Sequence, residues 1–286
     1  MTSEEPLRPM LDLSGVPETA LITLYNRAAE AARPDGVIRD PLAVALVQSE
    51  THALRARFGA PDQAHALRAR QFDAEVTAFL DAHPGASVVS LGEGLETQFW
   101  RAGRRAGRWV SVDLADMIHA RECLLPSDPR NLLIPGSAWD APWMEHIPHG
   151  VPVLIIVQGL LMYFPASEVE SLLGTLAQVH PGARLLFDTI PSWAATTTRG
   201  HRASSGYRLP AQPWGTSRRA LDRMLRRVGI REWNTMPAIA GRGLFWRHIH
   251  PTLSRTLPGA LPMAITAQLP GKDTAPHGPA APTPAG

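Results

Sequence analysis

The run Ser87–Arg101, SVVSLGEGLETQFWR, limits the fold more than any other stretch of this chain. Val88, Val89 and Leu91 form a short apolar run that stops at Gly92-Glu93-Gly94. A run of this length ending in a glycine turn is how a buried parallel strand feeds a helix, here expected near 95–103. Such turns lie at the carboxyl edge of a doubly wound sheet, where glycine lets a nucleotide approach the backbone.

Charge narrows the ligand. The dinucleotide fingerprint asks for Gly or Ala where Thr97 stands, and it would set a pyrophosphate beside Glu93 and Glu96. At roughly 4 to 6 Å and an effective dielectric near 20, each like-charge contact costs on the order of 3 kcal/mol. S-adenosylmethionine has no phosphate and carries a sulfonium and an ammonium, so acids near the turn favour it. A second short strand, Trp109–Asp113, alternates and ends in a carboxylate about twenty residues after the turn, the spacing at which an acid accepts from ribose hydroxyls. The residues alone point to a nucleoside-binding α/β domain; a glycine turn that merely ends a strand is the competing reading.

Several motifs then fall in order: LGEGLETQFWR, VDLADM with Arg121, IPGSAWD with Trp143-Met144, and VQGLLMYF. Together they resemble the leucine carboxyl methyltransferase family of S-adenosylmethionine-dependent enzymes, and are most similar to its bacterial branch associated with O-methylation in polyketide biosynthesis. The likeness is dense from about Gly15 to Pro191 and scattered to about Leu269. It implies a Rossmann-like class I methyltransferase fold, a mainly parallel sheet with helices on both faces and an N-terminal helical extension. It implies that Gly92 and Gly94 face the methionine moiety, with Glu93 between them. Asp113 and the following Leu114 fall at the ribose, and Ser137 and Ala138 flank the adenine. Tyr163 then lies near the transferred methyl, where its hydroxyl can orient the acceptor; without the resemblance it reads equally as a loop aromatic packed on the sheet edge. Two departures stand out: Glu93 and Glu96 occupy positions where the family usually shows Ala and Asp, and Gln158 one where it usually shows an acid. The expectation is that Glu93 and Glu96 restore the charge lost at Gln158.

Elsewhere the pattern is less specific. With 286 residues and 44% hydrophobic content, one large α/β domain fits better than two. Residues 1–14 read as a flexible N-terminus and 15–269 as the methyltransferase domain, divided into a helical part 15–83, a cofactor-binding core 84–191 and a candidate lid 192–215 before the remainder. The Pro, Ala and Gly of 270–286 read as a disordered tail. A helix is expected over Pro17–Ala32 with Thr19 as N-cap, another after Asp40-Pro41, and an arginine-rich one over about 62–81. On the last, helical spacing puts Arg68 on the face of Phe72, Val76, Phe79 and Leu80, while Arg70 points elsewhere. Arg68 is either turned to the core, where it needs a partner, or laid along the surface; the resemblance assigns it to the methionine carboxylate. Further strands are expected near 131–134, 152–157 and 184–190, helices near 115–123 and 167–179, a basic helix over Thr216–Gly229, and last strands at 230–236 and 261–269.

Composition excludes other classes. Lys272 is the only lysine, so a Schiff base or a P-loop lysine in the folded part is ruled out. The one cysteine, Cys123, excludes a disulfide framework and reads as a core thiol in a reducing, cytoplasmic setting. The longest apolar run, Val151–Phe164, is too short to span a bilayer, and the N-terminus lacks the pattern of a signal peptide. A net charge of +2 is too small to imply nucleic acid, and the basic helix reads as a solvated face. The oligomeric state is not legible.

The reading is an O-methyltransferase with a small-molecule acceptor. A carboxylate is favoured over a phenol, since no histidine sits convincingly beside the predicted cavity edge; His201 remains a possible base, and Arg199, Arg202 and Arg208 possible anion grips. The alternatives are methylation of a protein C-terminus or an RNA-borne carboxylate, or a cofactor-binding relative without turnover.

Overall fold

The computed structural model describes residues 17–140, 142–148, 150–197, 207, 209–257 and 259–271. Residues 1–14, expected from the sequence to be flexible, most of the expected tail, and His201, Arg199, Arg202 and Arg208 of the candidate lid lie outside them.

Seven strands make one sheet in the order β3-β2-β1-β4-β5-β7-β6. These are β1 (Ser87–Leu91), β2 (Arg108–Asp113), β3 (Asn131–Pro135), β4 (Val153–Val157), β5 (Arg184–Thr189), β6 (Glu232–Thr235) and β7 (Met263–Gln268). The first five pair in parallel, and β7 runs antiparallel to both β5 and β6. Successive strand residues face opposite sides. Val89 and Leu91 pack with Ile155 and Val157 under helix α6 (Ala166–Val179), whereas Val88 packs with Leu154 and Ile156 against Phe72, Val76 and Leu80 of helix α4 (Ala64–Ala82). Covered on both faces, β1 and β4 are apolar on both sides of the pleat, as parallel strands must be. Chain order reverses between β1 and β4, and the loops leaving these two strands open the crevice where ligands bind in such sheets.

The N-terminal helices α1 (Thr19–Ala31), α2 (Pro41–Val47) and α3 (Thr51–Phe58) form a separate layer, with Leu21, Leu24 and Tyr25 packed against Leu95, Met117 and Ala120. Asp40 caps α2 as the sequence predicts, accepting the Ala43 amide. Thr19 is not the cap of α1; it is the first helical residue, after Glu18, whose side chain makes no cap bond. Helix α5 (Ala115–Leu124) carries Cys123 on its exposed side, 3.7 Å from His119, so the thiol is not in the core.

The largest difference follows the glycine turn. In place of a helix over 95–103 there is one wide π-helical turn, Phe99–Gly103. Its cause is local: the carbonyls of Gly94, Leu95 and Glu96, which would accept the first intrahelical bonds, are taken by Arg121, Arg27 and Arg121 respectively. Sequence periodicity also misses helix α3, the short helix α7 (Ser192–Thr197), and the π-turn Phe245–Ile249 that runs into helix α9 (His250–Thr256) between β6 and β7. The basic helix α8 (Arg218–Arg227) is capped by Ser217; Arg226 pairs with Asp222, Arg227 with Glu170, and Arg218 lies over Trp233. Among the described residues no helix is long and apolar enough to cross a membrane.

Two glycines separate packing from propensity. A Cβ on Gly103 would meet the Trp109 ring at 2.4 Å, while one on Gly174, inside α6, would touch Val228 at 3.5 Å. Gly103→Ala is expected to destabilise by about 1–3 kcal/mol through overpacking, and Gly174→Ala to stabilise by roughly 0.5–1 kcal/mol through helix propensity. Urea denaturation of both variants checks this, and a stabilised Gly103→Ala would contradict the packing.

Candidate functional site

A cavity of about 810 Å³ opens at the carboxyl edge of β1, β2, β3 and β4. All ten residues singled out from the sequence line it: Arg68, Gly92, Glu93, Gly94, Asp113, Leu114, Ser137, Ala138, Gln158 and Tyr163. Gly92 and Gly94 have φ of +63° and +57°, a conformation costly for side chains with a Cβ, and a Cβ on Gly92 would fall 2.7 Å from the Leu160 side chain. The glycine turn and the loop after β4 therefore meet with no room to spare.

The turn is held from below by buried charge. Arg27, 1% exposed at its side chain, reaches Asp40 at 3.3 Å and Glu96 at 3.2 Å. Arg101 forms a fork on Asp73 at 2.7 and 3.0 Å, and also reaches Asp40 at 2.8 Å and Glu96 at 2.7 Å. Arg121, fully buried, stands 3.1 Å from Glu93 and binds the Gly94 and Glu96 carbonyls at 2.6 and 2.9 Å. Burial raises the pKa of Asp73 and Glu93 against the pull of their arginines. Burial also works against ionisation of Glu96, but Arg101 and Arg27 outweigh it and hold that carboxyl at about 2.

This arrangement corrects the charge argument drawn from the sequence. The Glu93 carboxylate is buried with Arg121 Nη2 3.1 Å from Oε2, so its charge is largely offset, and Glu96 is matched by two guanidiniums. Neither acid restores the charge lost at Gln158, and their repulsion of phosphate is correspondingly reduced. Gln158 has its own solution. Its Nε2 lies 3.5 Å from Glu96 Oε2, which turns the buried Oε1 away as an acceptor with no partner among the described residues.

Asp113 already accepts the Gly94 amide at 2.7 Å and the Leu114 amide at 2.8 Å, so it ties the glycine turn to the end of β2. Each oxygen keeps a lone pair for a hydroxyl. Burial pushes its pKa up, partly offset by these amides. After β3, Asp140 caps the turn by accepting the Ser137 amide, and the Ser137 hydroxyl accepts from the Trp139 amide. The helical register places Arg68 as expected: it lines the cavity and donates to Asp188 at 2.9 Å, whereas Arg70 is exposed. Asp188, at the end of β5, also accepts the Gly159 amide at 2.6 Å.

Sequence reasoning missed Asp188, although it ends an apolar strand as Asp113 does. It missed Arg27 too, though Leu24 three residues earlier marks the buried face of α1. Two cavity histidines were also missed, His65 on α4 and His250 at the start of α9. Burial keeps His250 below the ordinary imidazole range; its ring lies against Trp246 with centroids 4.7 Å apart.

The buried network makes a definite demand on stability. Arg101→Met would leave Asp40, Asp73 and Glu96 without their shared cation, and breaking a buried pair in this way costs about 3–5 kcal/mol. Glu96 ionises below its unfolded value of 4.5, so its contribution is complete above about pH 4.5 and is lost as pH falls toward 2. In Arg101→Met the Glu96 carboxyl is no longer held down, so less stability should be lost between about pH 4.5 and 2 and the deficit of the variant should shrink as pH falls. Denaturant titrations at a series of pH values check both effects, and a loss under about 1 kcal/mol at neutral pH, or a deficit that does not shrink in acid, would contradict them.

Comparison with known proteins agrees with this geometry. The profile of the leucine carboxyl methyltransferase family matches residues 20–128, which include the glycine turn and the end of β2. The chain is 30% identical over 184 residues to the tetracenomycin polyketide synthesis O-methyltransferase TcmP of Streptomyces glaucescens, covering 63% of this chain and 68% of that protein. It is 30% identical over 179 residues to the S-adenosyl-L-methionine-dependent methyltransferase dpfgK of Gibberella zeae, covering 56% of this chain and 60% of the other. A chain from a complex containing the Haloferax volcanii Trm112 methyltransferase activator superposes with a TM-score of 0.50 at 13% identity, over 82% of this chain and 99% of its own, and shows the fold alone. With the glycine turn, the β2 carboxylate and the reversed strand order in place, the chain belongs to the leucine carboxyl methyltransferase family of S-adenosylmethionine-dependent methyltransferases.

Proposed function

We propose that this methyltransferase transfers a methyl group to an oxygen of a small molecule, an ionised carboxyl group in the first place, in the cytoplasm and in a secondary-metabolic, polyketide-type setting. When bound, S-adenosylmethionine supplies the electrophilic methyl carbon. The residues present fit it. Gln158 Oε1 is a buried acceptor suited to the ammonium, Arg68 a cation suited to the carboxylate, and Asp113 an acceptor for ribose hydroxyls. Gly92 and Gly94 let the backbone face the methionine arm, with Leu114, Ser137 and Ala138 around the nucleoside. Glu93 serves the turn rather than the ligand.

One observation carries the choice of acceptor: every acid that lines the cavity is engaged. Glu93, Glu96 and Asp188 are paired with arginines, and Asp113 is held by two amides. None is free to remove a proton, which a carboxylate does not need and a phenol does. The chain's task is then to align the acceptor oxygen with the methyl carbon and keep water out, which can supply roughly 7 kcal/mol or more. Tyr163, from the turn after β4, lines the cavity and would orient the acceptor, and the half of the cavity toward Trp246 and Phe245 offers an aromatic wall for its body. A phenolic acceptor is the second reading, favoured by His250, a neutral imidazole in the same half whose buried Nδ1 has no partner among the described residues. On α8 Arg226 and Arg227 are paired with acids and Arg218 is stacked on Trp233, which favours a solvated face over a docking site for nucleic acid.

S-adenosylhomocysteine is expected to raise the melting temperature while NAD does not; stabilisation by NAD alone would contradict the cofactor site. Methyl transfer to a panel of aromatic acids and matching phenols then decides the acceptor. A carboxylate acceptor gives kcat/KM that is flat from about pH 5 to 9, whereas a phenol served by His250 gives activity that falls on acidification as the imidazole, held below the ordinary range by burial, takes up its proton.

A further inference from the structure

His65 is a polar group of the cavity that the proposed cofactor contacts leave unused. His65 lies on α4 three residues before Arg68, the spacing that puts two side chains on one helix face, and both line the cavity. Its Nδ1 accepts from Asn26 Nδ2 at 2.7 Å. Asn26 cannot present its oxygen instead, because that Oδ1 already accepts the Asp62 backbone amide at 3.1 Å. The proton of the neutral ring is therefore on Nε2, and no described residue accepts it. Burial, with the Arg68 and Arg27 guanidiniums nearby, holds the ring pKa down at about 3, against a smaller pull from Glu96. His65 is thus neutral in the physiological range. Its one lone pair is committed to Asn26, so it is no base; its free function is to donate.

We propose that His65 Nε2–H and the Arg68 guanidinium together hold a carboxylate, that of the methionyl arm of the cofactor, with Asn26 as the residue that positions the imidazole. Two donors on one helix face, one of them cationic, select an anionic oxygen. Arg68 Nη1 is turned to Asp188, and its buried Nε has no partner among the described residues. The approach is kept open by Gly159, where a Cβ would come within 3.1 Å of Arg68 Nη2. The assignment rests on the placement of the cofactor proposed above, with the methionine arm running from the glycine turn toward β4.

Calorimetric titration with S-adenosylhomocysteine and with 5′-methylthioadenosine, which keeps the nucleoside and thioether but lacks the amino-acid arm, tests it. His65→Ala is expected to weaken S-adenosylhomocysteine by about tenfold or more and methylthioadenosine by less than about twofold. His65→Gln, which keeps an N–H donor on a similar reach, should recover most of the loss. Asn26→Asp should draw the proton to Nδ1 and leave Nε2 bare. Relative to the unaltered protein, its affinity for S-adenosylhomocysteine should then fall as pH rises from about 5.5 to 8.5, through the imidazole range. Equal losses for both ligands on His65→Ala, no loss for either, or a pH profile unchanged by Asn26→Asp would overturn the proposal. Arg68→Ala separates the two levels. If it selectively weakens S-adenosylhomocysteine while His65→Ala does not, only the role of His65 fails; if neither does, the placement of the methionine arm fails as well.

Discussion

The glycine turn after β1 keeps its shape because three buried arginines, Arg27, Arg101 and Arg121, take up the carbonyls and carboxylates around it. Left-handed glycines alone would give the turn freedom, and a helix started normally at Leu95 would close it against its own amides. Instead Gly94, Leu95 and Glu96 point their carbonyls at guanidiniums, the following helix is delayed to a single wide turn, and the amide of Gly94 is returned to Asp113. Asp40, the cap of α2, and Asp73 on α4 bring the N-terminal helices into the same network. The helical layer is therefore part of the cofactor site's foundation as well as its cover.

Such a network has an electrostatic consequence for the chemistry above it. Buried ion pairs contribute little net stability against a well-packed apolar alternative, yet removing one partner is costly. Here the acids of the network are matched by its arginines, so the cavity above presents a mixed lining: Arg68 and the His65 ring as donors, and Asp113 and Gln158 Oε1 as acceptors.

The architecture was legible because it is written in local periods. The strand runs at 87–91, 109–113 and 153–157 are apolar by the rules of a covered parallel sheet, and Asp113 stands at the end of its strand. The register of α4 was legible for the same reason, since Arg68 shares a face with Phe72 and Val76 and Arg70 does not. What escaped depends on contacts remote in sequence. Glu93 and Glu96 read as ligand-facing charge until Arg121, 25 positions from Glu96, and Arg27 are seen beneath them. The π-turn at Phe99 is a response to those same carbonyl contacts and has no periodic signature. His65 looks like any surface histidine until Asn26, 39 residues earlier, fixes its tautomer.

The most direct measurement is an experimental structure of the protein bound to S-adenosylhomocysteine. The account predicts the ribose on Asp113, the ammonium on Gln158 Oε1, the carboxylate between Arg68 and His65, and Glu93 still paired with Arg121 and out of reach of the ligand. A Glu93 carboxylate turned from Arg121 toward the thioether, with the arginines rearranged beneath the turn, would contradict it.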